Sequence, residues 1–499
     1  MSQESYQKLM KLYQEFEMLG SINGVLNWDT ETQIPSNEKI TNYRAKQYAY
    51  LESLVHDKWQ NPEIQQYVSQ LQSDDNLDLI EKRNIELIHR ELLIRTKIPK
   101  DLVVKLSSQS KRTDQTWKKA KQKKDFSLVL SDMKDLFELN KQRGEIIGDL
   151  LGVDDPYESL IQTRDPGFTV DKISNLFEEM RTHLVPMIDK LTNKEDFTEI
   201  ENIKLDKRTK AKIATEICNV YGYKADGKVN AFIGEVEHPL TIGCGPYDSR
   251  VTVKYEQWEK VIFSACHEVG HAIHRLGKDD AHDGTPINNY GSPSVGEMNS
   301  RYTENKIGKS RAFWEYFYPQ MQKIASPSFD NIDLDTFYRF INRVEPGPKR
   351  MKADELTYGL HIIIRFELER DLFAEKISLD DINIIWKERY EKYLGVTPKD
   401  DTEGVMQDLH WYNVYWGYFQ GYALGDLMGS QVHYSMEQAN PNWEQELMNG
   451  NSGPVLDYFK EQIFSKGFMY DPMELVEKAT GSSFSSDHLT RYLKTKYAY

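Results

Sequence analysis

The sequence has few of the features that mark secreted, membrane-bound or nucleic-acid-binding proteins. Three widely spaced cysteines among 499 residues argue against a disulfide framework and favour the cytoplasm, a reducing compartment. No run of 18 apolar residues predicts a transmembrane helix, and the first twenty residues lack the apolar core of a signal peptide, so we expect no membrane contact. The net charge of −15 and the lack of a basic run argue against nucleic acid as a partner.

Gly/Ser linkers, internal repeats and low-complexity tracts are also missing, so no composition change marks a domain boundary. Most of the chain is instead amphipathic, with apolar residues recurring at spacings of three and four, which is typical of helices packed on a core. The clearest such stretches are 5–20, 79–96, 127–147, 176–191 and 356–375. Loops are expected at 150–157, 278–296 and 396–404. The fold class predicted is therefore mostly α.

One segment breaks the helical pattern. Residues 228–255 are rich in Val, Ile, Gly and Pro, and apolar and polar side chains alternate over 251–255 with the period of a strand. The Gly-Cys-Gly-Pro run at 243–246 has the composition of a turn. We predict a small antiparallel sheet inserted into the helical body, followed at once by a helix over about 256–276.

That helix contains the sequence His-Glu-Val-Gly-His at 267–271. Residues four apart face the same side of a helix, so His267 and His271 can both reach one metal ion. Glu268 lies beside the first histidine, where it can act as general base on a water molecule. Cys266 is a weaker candidate, since its side chain points about 100° away from His267 on an ideal helix, and we interpret it as a core residue.

The third ligand is less clear from the residues alone. A catalytic zinc held by two histidines commonly takes a glutamate from a second helix. Glu297 is the best candidate of this type, and Glu304, two turns further on, is the alternative. His274 and His282 remain possible by residue type.

The chain resembles the carboxypeptidase Taq family of zinc metallocarboxypeptidases over nearly its whole length. Several segments carry the resemblance besides His267–His271. They are WDTET at 28–32 with Pro35 and Arg44, HPLTIG at 238–243 with DSR at 248–250, NRVEP at 342–346 with Arg350 and ADE at 353–355, and GVMQDLHW at 404–411. Only the last of these fits the family motif completely.

The resemblance implies a helical, zincin-like enzyme with a deep cleft and a small sheet beside the HExxH helix. It also implies a homodimer with one Zn²⁺ per chain, which Co²⁺ or Mn²⁺ could replace. Because motifs from Trp28 to Trp411 must meet at one cleft, we expect residues 1–499 to form a single domain whose two helical lobes line it.

By resemblance, the zinc ligands are His267, His271 and Glu297, and Glu268 is the base. Arg350 is then the candidate clamp for the terminal carboxylate of the substrate, unless it forms only a structural salt bridge.

His410 is the candidate donor to the oxyanion, unless it is only a core histidine. Tyr422 is expected to assist carboxylate binding, His238 to hold substrate backbone, and Asp408 to orient other groups. The strand at 250–255 is expected to pair with extended substrate.

Some neighbouring positions depart from the family pattern. Gly296 and Met298 flank Glu297 where the family has His and Ser, and Leu240 stands in place of Phe. The function predicted is removal of C-terminal residues from peptides with a free C-terminus. The alternatives are a zinc oligopeptidase or endopeptidase on a similar scaffold and a catalytically inactive scaffold protein.

Overall fold

The structure, a computed structural model, describes residues 2–35, 37–224, 233–236, 238–289 and 291–498. Within these ranges the chain is mostly helical, with one small sheet, as predicted. The helices are α1 (Ser2–Thr32), α2 (Glu38–Trp59), α3 (Pro62–Leu71), α4 (Leu79–Lys97), α5 (Lys100–Lys123), α6 (Ser127–Leu151), α7 (Pro156–Gln162), α8 (Val170–Leu191), α9 (Thr198–Glu201), α10 (Lys207–Val220), α11 (Trp258–Leu276), α12 (Pro293–Arg301), α13 (Arg311–Ala325), α14 (Leu334–Ile341), α15 (Glu355–Phe373), α16 (Ile382–Leu394), α17 (Gln420–Ala439), α18 (Trp443–Met448), α19 (Gly453–Gln462), α20 (Pro472–Thr480) and α21 (Asp487–Lys496).

Shorter helical segments complete the secondary structure. A π-helix, Tyr302–Ile307, continues α12 without a break. The 3₁₀ segments are Asp280–His282, Pro286–Asn288, Arg350–Lys352, His410–Tyr412 and Phe464–Lys466. Four of the five amphipathic stretches lie within helices and the fifth, 356–375, extends two residues past α15, but the loop predicted over 278–296 is wrong at its end. There Ser292 caps α12 and Pro293 occupies its first turn. Ser followed by Pro is typical of a helix start, but the polar composition of the segment favoured a loop prediction.

The sheet has three strands, β1 (Ile233–Glu235), β2 (Thr241–Gly245) and β3 (Asp248–Val253), in the order β1-β3-β2. The strands β2 and β3 form the predicted antiparallel pair, whereas β1 is parallel to β3. Because β3 has a parallel neighbour on one side and an antiparallel neighbour on the other, the sheet is mixed. The part of the predicted strand-rich segment at 228–232 lies outside the described residues.

Helix α1 packs on this sheet, so the motif near the N-terminus contacts residues from the middle of the sequence. Gly24 lies so close to Gly243 that a Cβ atom on it would be 2.0 Å from the Gly243 carbonyl oxygen. Next to this contact, the Arg250 guanidinium lies over the Trp28 ring, 5.4 Å from its centroid, and Asp29 pairs with Arg44. The WDTET and DSR motifs therefore meet where α1 crosses the sheet.

Two glycines allow α11, α12 and α17 to approach one another closely. A Cβ on Gly270 would lie 2.2 Å from Thr303 Oγ1 and 2.7 Å from the Ser300 Cα. A Cβ on Gly425 of α17 would lie 2.9 Å from the carbonyl carbon of Glu297. Since nothing larger than glycine fits at either position without displacing backbone, these contacts fix the spacing of the three helices.

The largest hydrophobic core surrounds these helices and draws on residues from Ala120 to Leu493. A second cluster, from Leu9 to Leu92, joins α1, α3 and α4. No described helix is long and apolar enough to span a lipid bilayer.

Candidate active site

The motif histidines and Glu297 meet between α11 and α12. One ligand atom from each of His267, His271 and Glu297 lies within 4.8 Å of the others. His267 Nε2 and Glu297 Oε2 are 3.7 Å apart, close to the roughly 3.4 Å between two ligand atoms of a tetrahedral zinc site. The structure thus brings together the three residues predicted as ligands.

Each histidine is oriented through an oxygen of the protein. His267 Nδ1 lies 2.9 Å from Glu304 Oε2, and His271 hydrogen-bonds to the backbone of Gly296. Such partners fix the ring and its tautomer and leave the other nitrogen for a metal. Glu304, the alternative ligand in the sequence, therefore lies behind His267 rather than beside the third donor.

A chain of charged groups extends from His267 into the core. Arg301 Nη1 donates to Glu304 Oε2 over 3.4 Å, and its Nε and Nη2 donate to both oxygens of Asp426. Burial alone would raise the pKa of Glu304, but Arg301 and His267 hold it at about 2. Glu304 is therefore an anion at neutral pH.

The proposed base, Glu268, is buried against β2. The Thr241 hydroxyl lies 2.7 Å from the Glu268 carbonyl oxygen and 2.8 Å from Oε2. Burial raises the pKa of Glu268 to about 7, against the effects of His267 and Thr241, which lower it. Burial also acts against protonation of His267, but Glu304 and Glu297 raise its pKa to about 9. The site favours positive charge at its centre, as a cation site requires.

A second group of predicted residues meets around Asp408. Arg350 Nε and Nη2 donate to Asp408 Oδ1 over 3.0 and 2.8 Å, and Arg365 Nε donates to Oδ2 over 2.7 Å. Burial would raise the pKa of Asp408, but the two guanidinium groups hold it well below its usual range. One carboxylate is thus shared by two buried guanidinium groups, and one positive charge is left over.

The GVMQDLHW motif explains how this group is assembled. Gln407 Oε1 accepts the Arg350 backbone N–H over 2.9 Å, which ties segment Arg350–Lys352 to the motif. Trp411 Nε1 donates to Glu369 Oε1 over 2.6 Å, which anchors the motif to α15. The motif residues therefore position one another, which accounts for their fixed spacing.

His410 and Tyr422 lie together beside Arg350. The Arg350 guanidinium carbon is 5.1 Å from the Tyr422 ring centroid, and the two rings of His410 and Tyr422 are 6.3 Å apart. Burial, with a smaller effect from Arg350, lowers the pKa of His410 to about 3, so its imidazole is neutral. Burial raises the pKa of Glu297, and the charge of Arg350 is one of the effects that oppose this rise, so the two groups interact electrostatically.

The remaining candidates lie elsewhere. His238 is exposed between β1 and β2, three residues before Thr241. His274 packs its ring against Phe464, and His282 lies in a separate 3₁₀ segment. Among the described residues, only the group of His267, His271 and Glu297 satisfies the geometry of a metal site with three such donors.

The expectation that strand 250–255 pairs with substrate is wrong as stated. Strand β3 lies in the middle of the sheet, with β1 bonded along one side and β2 along the other. Residues 251–253 are therefore flanked by β1, which leaves no free edge there for a substrate strand. The strand that contacts Glu268 is β2, through Thr241.

Sequence reasoning left several contributors without a role, among them Thr241, Asp426 and Tyr358. Thr241 lies within the quoted HPLT motif, which was a usable signal. Asp426, which holds Arg301, lies in no motif. Tyr358 accepts a hydrogen bond from Arg350 Nη1 over 3.2 Å. The Arg301 guanidinium carbon lies over the Tyr358 ring, 3.8 Å from the ring centroid. Tyr358 joins the two groups, and only the tertiary structure reveals this.

A helical scaffold with an HExxH helix, a glutamate from a second helix and a neighbouring cationic group defines a metallopeptidase. A sequence profile described as carboxypeptidase Taq (M32) metallopeptidase matches residues 8–497. Carboxypeptidase 1 of Bacillus subtilis is 31% identical over 484 residues, which cover 95% of this chain and 94% of that protein. Thermostable carboxypeptidase 1 of Thermus thermophilus is 31% identical over 507 residues, covering 99% and 98%.

Among solved structures, an M32 carboxypeptidase from Deinococcus radiodurans R1 superposes with a TM-score of 0.93 at 28% identity, with 99% of each chain covered. The chain belongs to the carboxypeptidase Taq (M32) metallopeptidase family. It is a metallocarboxypeptidase of a family that uses a divalent metal, and the predicted fold class and enzyme class are confirmed.

Proposed function

We propose that this metallocarboxypeptidase uses zinc, held by His267, His271 and Glu297, with Glu268 as general base. The observation that carries the proposal is the convergence of these three donors within 4.8 Å. Two imidazoles and one carboxylate suit zinc, and Co²⁺ or Mn²⁺ can replace it by ligand type. When bound, the ion would supply Lewis acidity that polarises a peptide carbonyl and acidifies a water molecule.

Glu268 accepts and then donates the proton that is transferred in the reaction. Its Oε2 is held by Thr241, which leaves Oε1 to accept the proton of the attacking water. The same carboxyl group then returns that proton to the amine that leaves as the peptide bond breaks. The geometry supports this role because Glu268 adjoins the first histidine on the buried face of α11.

Arg350, Tyr422, His410 and His238 bind the substrate in this proposal. Arg350, whose charge Asp408 only partly neutralises, takes the terminal carboxylate, assisted by the Tyr422 hydroxyl. His410 donates to the oxyanion through its neutral imidazole, and its ring lies 6.3 Å from that of Tyr422. His238 holds substrate backbone in this proposal; it is exposed, three residues before Thr241, whose hydroxyl contacts Glu268.

The test compares a free-acid peptide with its C-terminal amide, with and without a metal chelator. We expect hydrolysis of the free acid one residue at a time, loss of activity with chelator and recovery with added zinc. The amide should react at least about 100-fold more slowly, since it cannot form the bidentate, charge-assisted contact with Arg350. Equal cleavage of both would instead indicate an oligopeptidase or endopeptidase.

A matched variant tests the base. Glu268→Gln keeps the shape of the side chain, so it should retain stoichiometric metal while kcat falls about 1000-fold or more, roughly 4 kcal/mol in the barrier. Full activity in this variant would refute the assignment of Glu268. Stoichiometric metal in the wild type with no hydrolysis of any peptide would favour the inactive-scaffold alternative.

We also propose a cytoplasmic homodimer of single-domain chains. All three cysteines are free, which fits a reducing compartment. The largest core cluster joins residues from Ala120 to Leu493, which fits one domain with lobes on either side of a cleft. Light scattering on the purified protein would measure the mass of the assembly, and a monomer would refute the dimer.

A further inference from the structure

Two arginines near the proposed site have no anionic partner among the described residues. Arg164 follows α7, Arg143 lies on α6, and both are half-buried. Burial, with a smaller effect from the charge of Arg164, lowers the pKa of Arg143 to about 10. Among the described residues no carboxylate lies within ion-pair distance of either guanidinium group. Two like charges placed together in this way are costly unless a ligand supplies the negative charge.

The Arg164 side chain is held in place mainly by aromatic rings. Its guanidinium carbon lies 5.5 Å from the Tyr415 ring centroid and 5.3 Å from that of Tyr418. Nη2 makes one long hydrogen bond, 3.4 Å, to the Val414 carbonyl oxygen, and Nε is buried without a partner. Contacts with rings orient a guanidinium group without consuming its N–H donors. Most of the Arg164 donors are therefore available.

The nearest carboxylates are already engaged elsewhere. Glu369 accepts hydrogen bonds from Trp411 Nε1, the Tyr157 hydroxyl and a backbone N–H. Asp165 accepts the Ser294 backbone N–H at the start of α12. Both lower the net charge around Arg164 from a distance, but neither forms an ion pair with it.

Arg164 lies beside the proposed substrate-binding residues. Tyr418, which contacts the Arg164 guanidinium, has its ring 5.7 Å from the His410 ring. The charge of Arg164 reaches His410, and the charge of Glu297 reaches Tyr418. The Arg164 guanidinium is thus separated from His410 by the Tyr418 ring.

We propose that Arg164, backed by Arg143, forms a carboxylate-binding subsite that selects peptides with Asp or Glu next to the scissile bond. The inference rests on the proposed function, in which Arg350 takes the terminal carboxylate and leaves the acidic side chain for Arg164. A guanidinium edge binds carboxylate bidentately, and a second positive charge behind it disfavours Lys or Arg at the same position. The acidic residue belongs either to the released amino acid or to its neighbour.

The experiment measures kcat/KM for two series of tripeptides that are blocked at the N-terminus, free at the C-terminus and have alanine at the positions not varied. One series places Glu, Gln or Lys last, and the other places them second to last. We expect the wild type to prefer Glu over Gln at one of these positions by about tenfold or more, with Lys poorest, because a charge-assisted contact is lost in the neutral isostere. The series that shows the preference identifies the position.

Variants assign the preference to the arginines. Arg164→Gln should bring the Glu/Gln ratio to about one, with a larger loss of kcat/KM for the Glu peptide than for the all-alanine peptide. Arg143→Gln should lower the ratio partially, which keeps the proposal testable if the first variant misfolds. The control Arg112→Gln removes an exposed guanidinium on α5 and should change no ratio. Metal content and the unfolding midpoint of each variant show that it is folded.

Two results would overturn the subsite. One is a wild-type Glu/Gln ratio near one at both positions while free-acid peptides are still cleaved. The other is an equal loss for all peptides in Arg164→Gln, which would indicate a structural role only. Failure of the wild type to cleave any free-acid peptide would overturn the proposed function as well, so the two failures are distinguishable.

Discussion

The two groups that make up the site carry opposite unbalanced charges. At the metal centre, the carboxyl groups of Glu268, Glu297 and Glu304 surround two histidines, and the nearby Arg301 is already paired with Asp426. In the arginine group, two guanidinium groups share the single carboxylate of Asp408. The first group lacks positive charge and the second lacks negative charge.

In the proposed function, this difference in charge orients a peptide end. The metal centre would attract a divalent cation, whereas the arginine group would attract a carboxylate, which is the charge at the end of a peptide chain. Tyr358 contacts Arg301 on one side and Arg350 on the other, so the distance between the two groups is set by packed side chains. A carboxypeptidase needs that fixed distance, because the scissile carbonyl lies a constant number of bonds from the terminal carboxylate.

The largest expected effect comes from making the arginine group more positive. Asp408→Asn would leave Arg350 and Arg365 buried without a counter-charge, and loss of one partner of a buried ion pair costs about 3–5 kcal/mol of unfolding free energy. Urea unfolding followed by circular dichroism measures this.

The matched control is Asp380→Asn, which removes the acid of the exposed pair with Lys134. It should leave the unfolding midpoint unchanged, because exposed pairs contribute little. Equal midpoints for Asp408→Asn and the wild type would show that the arginine group does not depend on its carboxylate.

The two groups also differ in how far they could be predicted from the sequence. His267, Glu268 and His271 lie within five residues of one helix, so helical geometry alone places them together. Glu297 required a family resemblance, because its approach to α11 depends on the glycine contact at Gly270. The helical fold class followed from amphipathic periodicity, which is a local property.

The arginine group and the sheet order depend on contacts between distant segments. Arg350 and Asp408 are 58 residues apart, and no spacing rule distinguishes an arginine that clamps substrate from one that pairs with aspartate. Strand β1 has three residues, too few to show its pairing partner, so the central position of β3 could not be foreseen. Arg164 lies in no motif, and only the folded chain places it against Tyr418, next to His410.

A smaller effect is expected from weakening the negative charge behind the metal centre. Glu304→Gln keeps an acceptor for His267 Nδ1 but removes the anion that favours positive charge at the site. Loss of such a supporting group typically weakens metal affinity about 10- to 100-fold. Competition with a chromogenic chelator measures the affinity.

Glu315→Gln is the control, since Glu315 pairs only with exposed groups on α13. Its metal affinity should equal that of the wild type. If Glu304→Gln also bound metal with unchanged affinity, the charge of Glu304 would have no part in attracting the cation.

The smallest effect is expected at Thr241, which acts on one oxygen of the base and carries no charge itself. Thr241→Val keeps the size of the side chain and removes the hydrogen bond to Glu268 Oε2, so kcat should fall about five- to tenfold, roughly 1 kcal/mol. Metal affinity should stay the same, because the charges of the metal centre are unchanged. Thr241→Ser restores the hydroxyl and should recover most of the rate. If Thr241→Ser were as slow as Thr241→Val, the hydroxyl alone would not account for the effect, and orientation of the base would have to come from the charged groups instead.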